Sequence, residues 1–543
     1  MKHRWAITAA IAVISFFSGG WLLQRGSGDQ AVFRQARIFD DVLNHVRHFY
    51  VDSVPEADLY KKATDGLLSE LKDPYSVLLV EDDFKDLTEK TSGNYAGLGI
   101  QIDVRDGWIT VVAPLPESPA ERAGIQTGDQ IVEVDGKSTH DWKSEAAVKA
   151  LRGLPGSQVK ILVRRPGLAD PMPYELTRAA IHVKSVQPGT MFDGGVGYIS
   201  LNPVSETSAI ELQQEIAAMK KKGMKSMLLD LRNNPGGLLD QGVKVADLFL
   251  DPGQEIVSTR GRSRGATRQF FDSDAQLDAA LPIVVMVSEG TASAAEIIAG
   301  ALQDHDRALV VGTPSFGKGL VQTLYPLGES TALKLTTARW FTPSGRTIQR
   351  IATDEMDQVR QAMADVDPRM QRDSVSDSAL KARPIFKTDA GRTVRGGGGI
   401  VPDVVVRPDT FTTPEREFVK AVGEKAAAYR DALTGYALEL KQQKAIASEK
   451  FTVTPAMRKA FYDRLIKKGV AVTPATFEAA SSFIDQQLGY EISRYSFGRQ
   501  AESRRRWQDD PQMQEALRLL RRASTPKELL TLASAAGVSP SAN

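Results

Sequence analysis

Ser293, Lys318 and Gln322 are the residues of this chain whose types and spacing could do chemistry together. Lys318 follows Ser293 by 25 residues and Gln322 comes 4 later. A serine nucleophile with a lysine base needs no histidine, but the lysine amine must be neutral to accept a proton. An exposed lysine titrates at about 10.4, so burial has to depress it. Phe316, Leu320 and Val321 supply apolar neighbours along the chain, and Gln322 offers an amide to hold the amine. On a regular strand positions 318 and 322 face the same way about 13 Å apart, so direct contact requires a turn or bulge at Gly317 or Gly319. An oxyanion would need two main-chain donors. Ala294 N–H, next after the serine, is one. The glycine pair Gly236-Gly237, closing Leu229-Asp230-Leu231-Arg232-Asn233-Asn234-Pro235, is the source expected for the other.

Each of these residues also has a plainer reading. Ser293-Ala294-Ala295-Glu296 matches a capping box, in which serine only caps a helix. Context favours the nucleophile. The apolar run Ile283-Val284-Val285-Met286-Val287 enters a tight Ser288–Thr291 turn, and Ala294, Ile297, Ile298, Ala301 and Leu302 then share one helical face. A strand–turn–helix of this kind presents a hydroxyl at a sheet end, beside a helix N-terminus that favours negative charge. Gly312–Lys318 fits the first seven positions of a phosphate-binding loop, but position eight is Gly319 and a strand, not a helix, follows. Both departures argue against a nucleotide-binding ATPase. His305 is read as structural.

The elements that must position these residues fall into four groups. Over 33–90 the sequence reads as helices, with Ile38, Val42, Val46 and Phe49 at helical spacing. Over 94–180 it reads as short strands at 98–104, 131–135, 158–164 and 172–177, with a short helix at Ser118–Gly124 opened by proline and closed by glycine. Residues 190–350 and 395–407 read as an α/β core: strands Gly197–Leu201, Ser226–Leu231, Pro282–Val287 and Ala308–Val311 alternate with helices over 207–221, 238–250 and 293–303. Residues 351–394 read as a polar insertion and Gly396–Gly399 as a loop. Residues 411–543 read as a helical tail whose threonine–proline pairs at 413–414, 454–455 and 473–474 mark N-termini. Its stripe of Leu517, Leu519, Leu520, Leu529 and Leu530 is expected either to pack on the core or to join two copies of the chain.

Composition narrows the function. A chain of 543 residues implies three to four domains. The 68 basic residues nearly balance 67 acidic ones, which argues against a nucleic-acid partner. No cysteine is present, so disulfides and thiolate sites are absent, and six scattered histidines make a metal site unexpected. Lys2, His3 and Arg4 precede an apolar run from Trp5 to Leu23. Its length suits a membrane span or a signal peptide, and either exports residues 30–543. An uncleaved anchor is the expectation.

The motifs Asp73-Pro74-Tyr75-Ser76, Gly97-Leu98-Gly99-Ile100, Ser118–Gly124 with Gly128-Asp129, Asp230–Gly237, Thr291–Glu296 with Gly300–Asp304, Gly317–Gln322, Thr342–Gln349 and Gly399–Asp403 occur in this order. Over residues 33 to about 407 the chain resembles the carboxy-terminal processing, or tail-specific, proteases. The resemblance implies a multi-domain α/β fold: a signal peptide or anchor at 1–29, a helical domain at 30–93, a PDZ domain at 94–180, a serine protease core at 181–410 carrying the 351–394 insertion, and a C-terminal helical domain at 411–543. It implies a serine endopeptidase acting near substrate C-termini, with Ser293 as nucleophile, Lys318 as base, Gln322 orienting it, and Ala294 with Gly236 or Gly237 binding the oxyanion. It also implies that Gly97, Leu98, Gly99 and Ile100 cap a peptide carboxylate. Protein substrates with a free C-terminus are the expected partners. A homo-oligomer through the tail and an adaptor lipoprotein are further ones, and no cofactor is expected. A location in the cell envelope follows from the export reading. The alternative is a catalytically silent PDZ scaffold.

Overall fold

The computed structural model describes residues 33–166, 168–350, 382–409 and 411–536. The N-terminal apolar run and most of the insertion lie outside them. Among the described residues no helix is long and apolar enough to cross a membrane. The chain divides into two compact units: residues up to Phe84 with Gln322–Thr336, and Lys85–Val321 with Thr337 onwards.

The first unit carries a helix over 33–49, the helix Glu56–Ser69, and the strand Val77–Val80 paired antiparallel with residues 331–334. The stripe read at Ile38, Val42 and Phe49 lies exposed, so helical periodicity here marks an uncovered face. Asp73 opens the turn before the strand. It accepts from the Ser76 hydroxyl at 2.5 Å, and Ser76 Oγ in turn accepts from Thr336 N–H at 3.1 Å.

In the second unit a six-stranded sheet forms the core. Its strands are β1 Thr190–Phe192, β2 Val196–Ser200, β3 Ser226–Asp230, β4 Ile283–Val287, β5 Leu309–Gly312 and β6 Val404–Val405, adjacent in that order. All neighbours are parallel except β1 and β2. β4 is buried at all five positions, as expected of a β-branched run in a parallel sheet covered on both sides. Alternate residues serve two cores. Ile283, Val285 and Val287 meet the helices α1 Ser208–Lys221, α2 Leu239–Asp247 and α3 Ala294–Asp304. Val284 and Met286 meet α4 Pro511–Arg522, which comes from the chain's far end. Leu517, Leu519, Leu520 and Leu529 are all buried there. At roughly 1.5–3 kcal/mol for each buried leucine, this intramolecular packing explains the leucine stripe.

The PDZ-like module is an antiparallel sheet ordered Ile100–Arg105, Trp108–Pro114, Gln130–Val134, Gln158–Arg164, Met172–Thr177, closed by Pro119–Arg122 and Ser144–Leu151. Trp108–Pro114 had no counterpart in the sequence reading, which took only the strands on either side. Ser118 caps the short helix, and Gly124 ends it with φ +80°. The tail's own core gathers Phe418, Tyr429, Phe461, Phe477 and Phe483 in edge-to-face and tilted contacts. Its first helix is capped by Thr412, not Thr413, because Glu415 must stand at the third helical position to accept from Thr412 N–H (2.7 Å). At the end of the polar stretch read as an insertion, Ile385–Lys387 and Thr393–Arg395 pair as a hairpin.

One buried group gives this unit a pH dependence. Asp272 is 4 % exposed and stands beside the Asp247 carboxylate. Burial first, and the neighbouring Asp247 charge second, push its pKa up to about 7. A carboxyl whose folded pKa is raised binds its proton more tightly folded than unfolded, so stability falls as pH climbs from about 4 through 7. Asp272→Asn is expected to match the native protein in denaturant midpoint at pH 4 and to exceed it at pH 8. Equal midpoints at pH 8 would contradict this.

Candidate active site

Three adjacent parallel strands deliver the site loops from their C-terminal ends, where open α/β sheets gather ligands. β3 runs into Leu231–Leu238, β4 into Ser288–Ser293, and β5 into Thr313–Gly319. Ser293 is the N-cap of α3 and has φ +54°, left-handed backbone that a non-glycine residue adopts only under constraint. The reciprocal half of a capping box is present, with Ser293 N–H donating to the Glu296 carboxylate at 2.8 Å.

The constraint on both loops is Glu296. Its side chain is fully buried. One oxygen accepts from Ser315 Oγ at 2.5 Å and Gly317 N–H at 2.7 Å, the other from Ser293 N–H at 2.8 Å and Lys318 N–H at 2.9 Å. One carboxylate therefore brackets the main chain of both the serine and the lysine. Burial raises its pKa, while hydrogen bonds led by that from Ser315 act to lower it. In the sequence Glu296 stands out only as the reciprocal half of a capping box. The signal for more was its place among apolar neighbours on a helix buried at every position.

Lys318 is half-buried and precedes its strand, which begins at Leu320. Gly317 turns with φ +89°, packed so closely that a Cβ would stand 2.9 Å from Gly399 N. Trp340 Nε1 donates to Lys318 O at 3.0 Å, and Trp340 N–H donates to Gly319 O at 3.0 Å. The regular-strand spacing of 318 and 322 thus does not apply at the lysine. Gln322 belongs to the first unit, where its amide donates to Thr336 Oγ1 at 3.5 Å.

The glycine loop meets the serine directly. A Cβ on Gly236 would stand 2.5 Å from Ala292 O and 2.8 Å from Ala294 N. Gly236 N–H, however, donates to Asn234 Oδ1 at 2.9 Å, so in this conformation it is not an oxyanion donor. Gly237 and Ala294 are the main-chain N–H groups left from the expected set. His305 sits at the far end of α3, between Asp389 Oδ2 and Glu255 O, both at 2.7 Å, in keeping with a structural role.

In the PDZ-like module, Gly97–Ile100 line a groove with Ile102, Val148, Leu151 and Arg152. Gly99 has φ +71°, and a Cβ there would collide with Ser118 Cβ at 2.3 Å. Arg152, absent from the sequence reading, is held by Glu89 at 2.6 Å and lies over the Tyr95 ring at 5.1 Å. Ile100–Arg105 is an edge strand, the kind to which an extended peptide adds.

Comparison with known proteins agrees with this architecture. Residues 195–356 match the model of peptidase family S41 and residues 110–165 that of a PDZ domain. A carboxy-terminal-processing protease of Bartonella bacilliformis is 40 % identical over 329 residues, 60 % of this chain and 75 % of that one. The carboxy-terminal processing protease CtpA of Bacillus subtilis is 35 % identical over 305 residues, covering 56 % and 65 %. The solved photosystem II D1 C-terminal processing protease is 31 % identical with a TM-score of 0.34, covering 56 % of this chain and 83 % of that one. The chain belongs to the carboxy-terminal processing protease family and is a serine-type peptidase with a PDZ domain. The scaffold-only alternative finds no support in these matches.

Glu296→Ala would leave four donors without an acceptor, each costing about 1–3 kcal/mol when buried. The expected result is a loss of at least ~3 kcal/mol in unfolding free energy by denaturant titration, together with loss of peptidase activity. Native stability would show that the bracket carries no load.

Proposed function

We propose that the chain is an endopeptidase that cuts near the C-terminus of protein substrates by a serine–lysine mechanism. Ser293 Oγ attacks the scissile carbonyl while its proton passes to neutral Lys318 Nζ. Lys318 then gives that proton to the leaving amine as the C–N bond breaks. Lys318 Nζ next takes a proton from a water that attacks the acyl-enzyme carbonyl, and delivers that proton to Ser293 Oγ as the ester C–O bond breaks and the acid product leaves. Ala294 N–H and Gly237 N–H receive the oxyanion, with Gly236 joining only if Asn234 releases it. Gln322 orients Lys318. The observation that carries this reading is the Glu296 carboxylate, which joins the main chain of Ser293 to that of Lys318.

The PDZ module engages the substrate's free C-terminus at Gly97–Ile100 and lays the tail along Ile100–Arg105. The groove and its edge strand support this. Export through residues 1–29 would place the enzyme in the cell envelope, a reading supported by the basic residues before the apolar run. A homo-oligomer through the helical tail and an adaptor lipoprotein are further partners under this reading.

Ser293→Ala and Lys318→Ala are each expected to abolish cleavage of an unstructured protein substrate with the fold intact by circular dichroism. Lys318→Arg is expected to fail as well, since guanidinium stays protonated. Near-native turnover by the arginine variant would exclude lysine as the base. Binding is tested on full-length Ser293→Ala protein by calorimetry. A peptide amidated at its C-terminus is expected to bind at least about 10-fold more weakly than the free acid, the scale of one lost charge-assisted contact. Equal affinity would remove the carboxylate loop from the account.

A further inference from the structure

Arg232 stands five residues before Gly237 in the loop that meets Ser293. Its guanidinium is largely buried and spans two carboxylates. Nη2 donates to Asp230 Oδ2 at 2.8 Å, while Nη1 donates to Asp510 Oδ2 at 2.6 Å and to Gln512 Oε1 at 3.2 Å. Burial acts to lower the Arg232 pKa, but the carboxylates, Asp230 first, outweigh it and keep the group charged. Asp230 Oδ2 also accepts from Tyr198 Oη at 3.1 Å, and the Tyr198 ring packs on Trp507 of the tail at 4.7 Å.

Asp510 divides its carboxylate between two tasks. Oδ1 caps α4, accepting from Gln512 N–H at 3.0 Å and Met513 N–H at 3.1 Å. Oδ2 grips Arg232. Gln512 adds a further tie through Nε2 to Val406 O at 2.8 Å, just past β6. The loop beyond Arg232 is also tied to its neighbours: Asn233 N–H to Ser288 Oγ at 3.0 Å, Asn202 Nδ2 to Asn233 O at 2.9 Å, Asn234 Nδ2 to Leu201 O at 2.7 Å, Ala292 N–H to Asn234 O at 2.9 Å, Val204 N–H to Gly236 O at 2.9 Å and Gly236 N–H to Asn234 Oδ1 at 2.9 Å, whereas Arg232 ties its start to the tail.

We infer that Asp510 is a positioning residue for the peptidase reaction: through Arg232, the C-terminal helix sets the placement of the Asn233–Gly237 loop against Ser293. This rests on the serine–lysine reading above and extends it to a segment more than 200 residues away in sequence. The helical tail is thus part of the catalytic assembly as well as a cover for the sheet. The same tail reaches the PDZ module, where Arg499 donates to Gln101 Oε1 at 2.6 Å, Lys441 donates to Thr127 O at 3.3 Å and Lys468 pairs with Asp106.

The test separates the two tasks of Asp510 in the full chain. Asp510→Ser keeps an N-cap oxygen but is too short to reach Arg232. Amide hydrogen exchange is expected to quicken at Asn233–Gly237 by about 10-fold or more, while the amides of Pro511–Arg522 and the melting temperature stay near native. In peptide hydrolysis, kcat is expected to fall about 10- to 100-fold, less than the ~10²–10³ lost with an oxyanion donor itself, with KM within about twofold. Asp510→Asn retains both the cap and an acceptor for Arg232, and is expected to fall between. Native exchange at Asn233–Gly237 in Asp510→Ser would overturn the inference. So would a kcat loss accompanied by an equal loss of protection throughout the fold, which would mark a merely structural role. The exchange readout needs no turnover, so failure of the native chain to cleave would count against the peptidase reading alone.

Discussion

The burial of three central parallel strands, β3, β4 and β5, on both faces is the constraint on which the second unit depends. β4 has no exposed residue, so every backbone group must pair laterally and every side chain must find a helix above or below. One face is covered by helices that immediately follow their strands. The other is covered by α4, which arrives from the end of the chain. Because neighbouring strands run parallel, their C-terminal ends lie side by side. Three loops thereby meet there without any being near another in sequence.

Within that meeting point a single buried carboxylate settles the local geometry. Glu296 spends its two oxygens on four donors from the loops around Ser293 and Lys318. Such a group is costly to bury unless fully satisfied, and once satisfied it allows little displacement of its partners. The left-handed backbone at Ser293 and the glycine at 236 follow from the same crowding: the chain turns sharply at the nucleophile, and only a residue without Cβ lets the neighbouring loop approach it.

The tail and the PDZ module add reach to this centre. Polar links, several of them exposed, connect the tail to the PDZ module, whereas its link to Arg232 is less exposed and places the guanidinium between two carboxylates. Exposed pairs contribute little to stability and are screened by salt, and screening weakens as the pair is withdrawn from water. The tail's attachment at the protease loop is therefore the firmer of the two.

Sequence alone determined the class of fold, the order of the modules, and the serine, lysine and glycine motifs, because these are local signals. β-branched runs mark buried strands, threonine–proline pairs mark helix starts, and a strand–turn–helix marks Ser293. It permitted a break in the strand at Gly317 or Gly319, which a direct contact of Lys318 with Gln322 would require, without showing one. Only the tertiary structure decided that Gly236 spends its N–H on Asn234, that Glu296 serves two loops, and that the leucines of α4 close the core sheet. Only it paired Asp510 with Arg232. Each of these depends on partners far apart in the chain, whose meeting is set by packing over the whole sheet rather than by any periodicity a single segment carries.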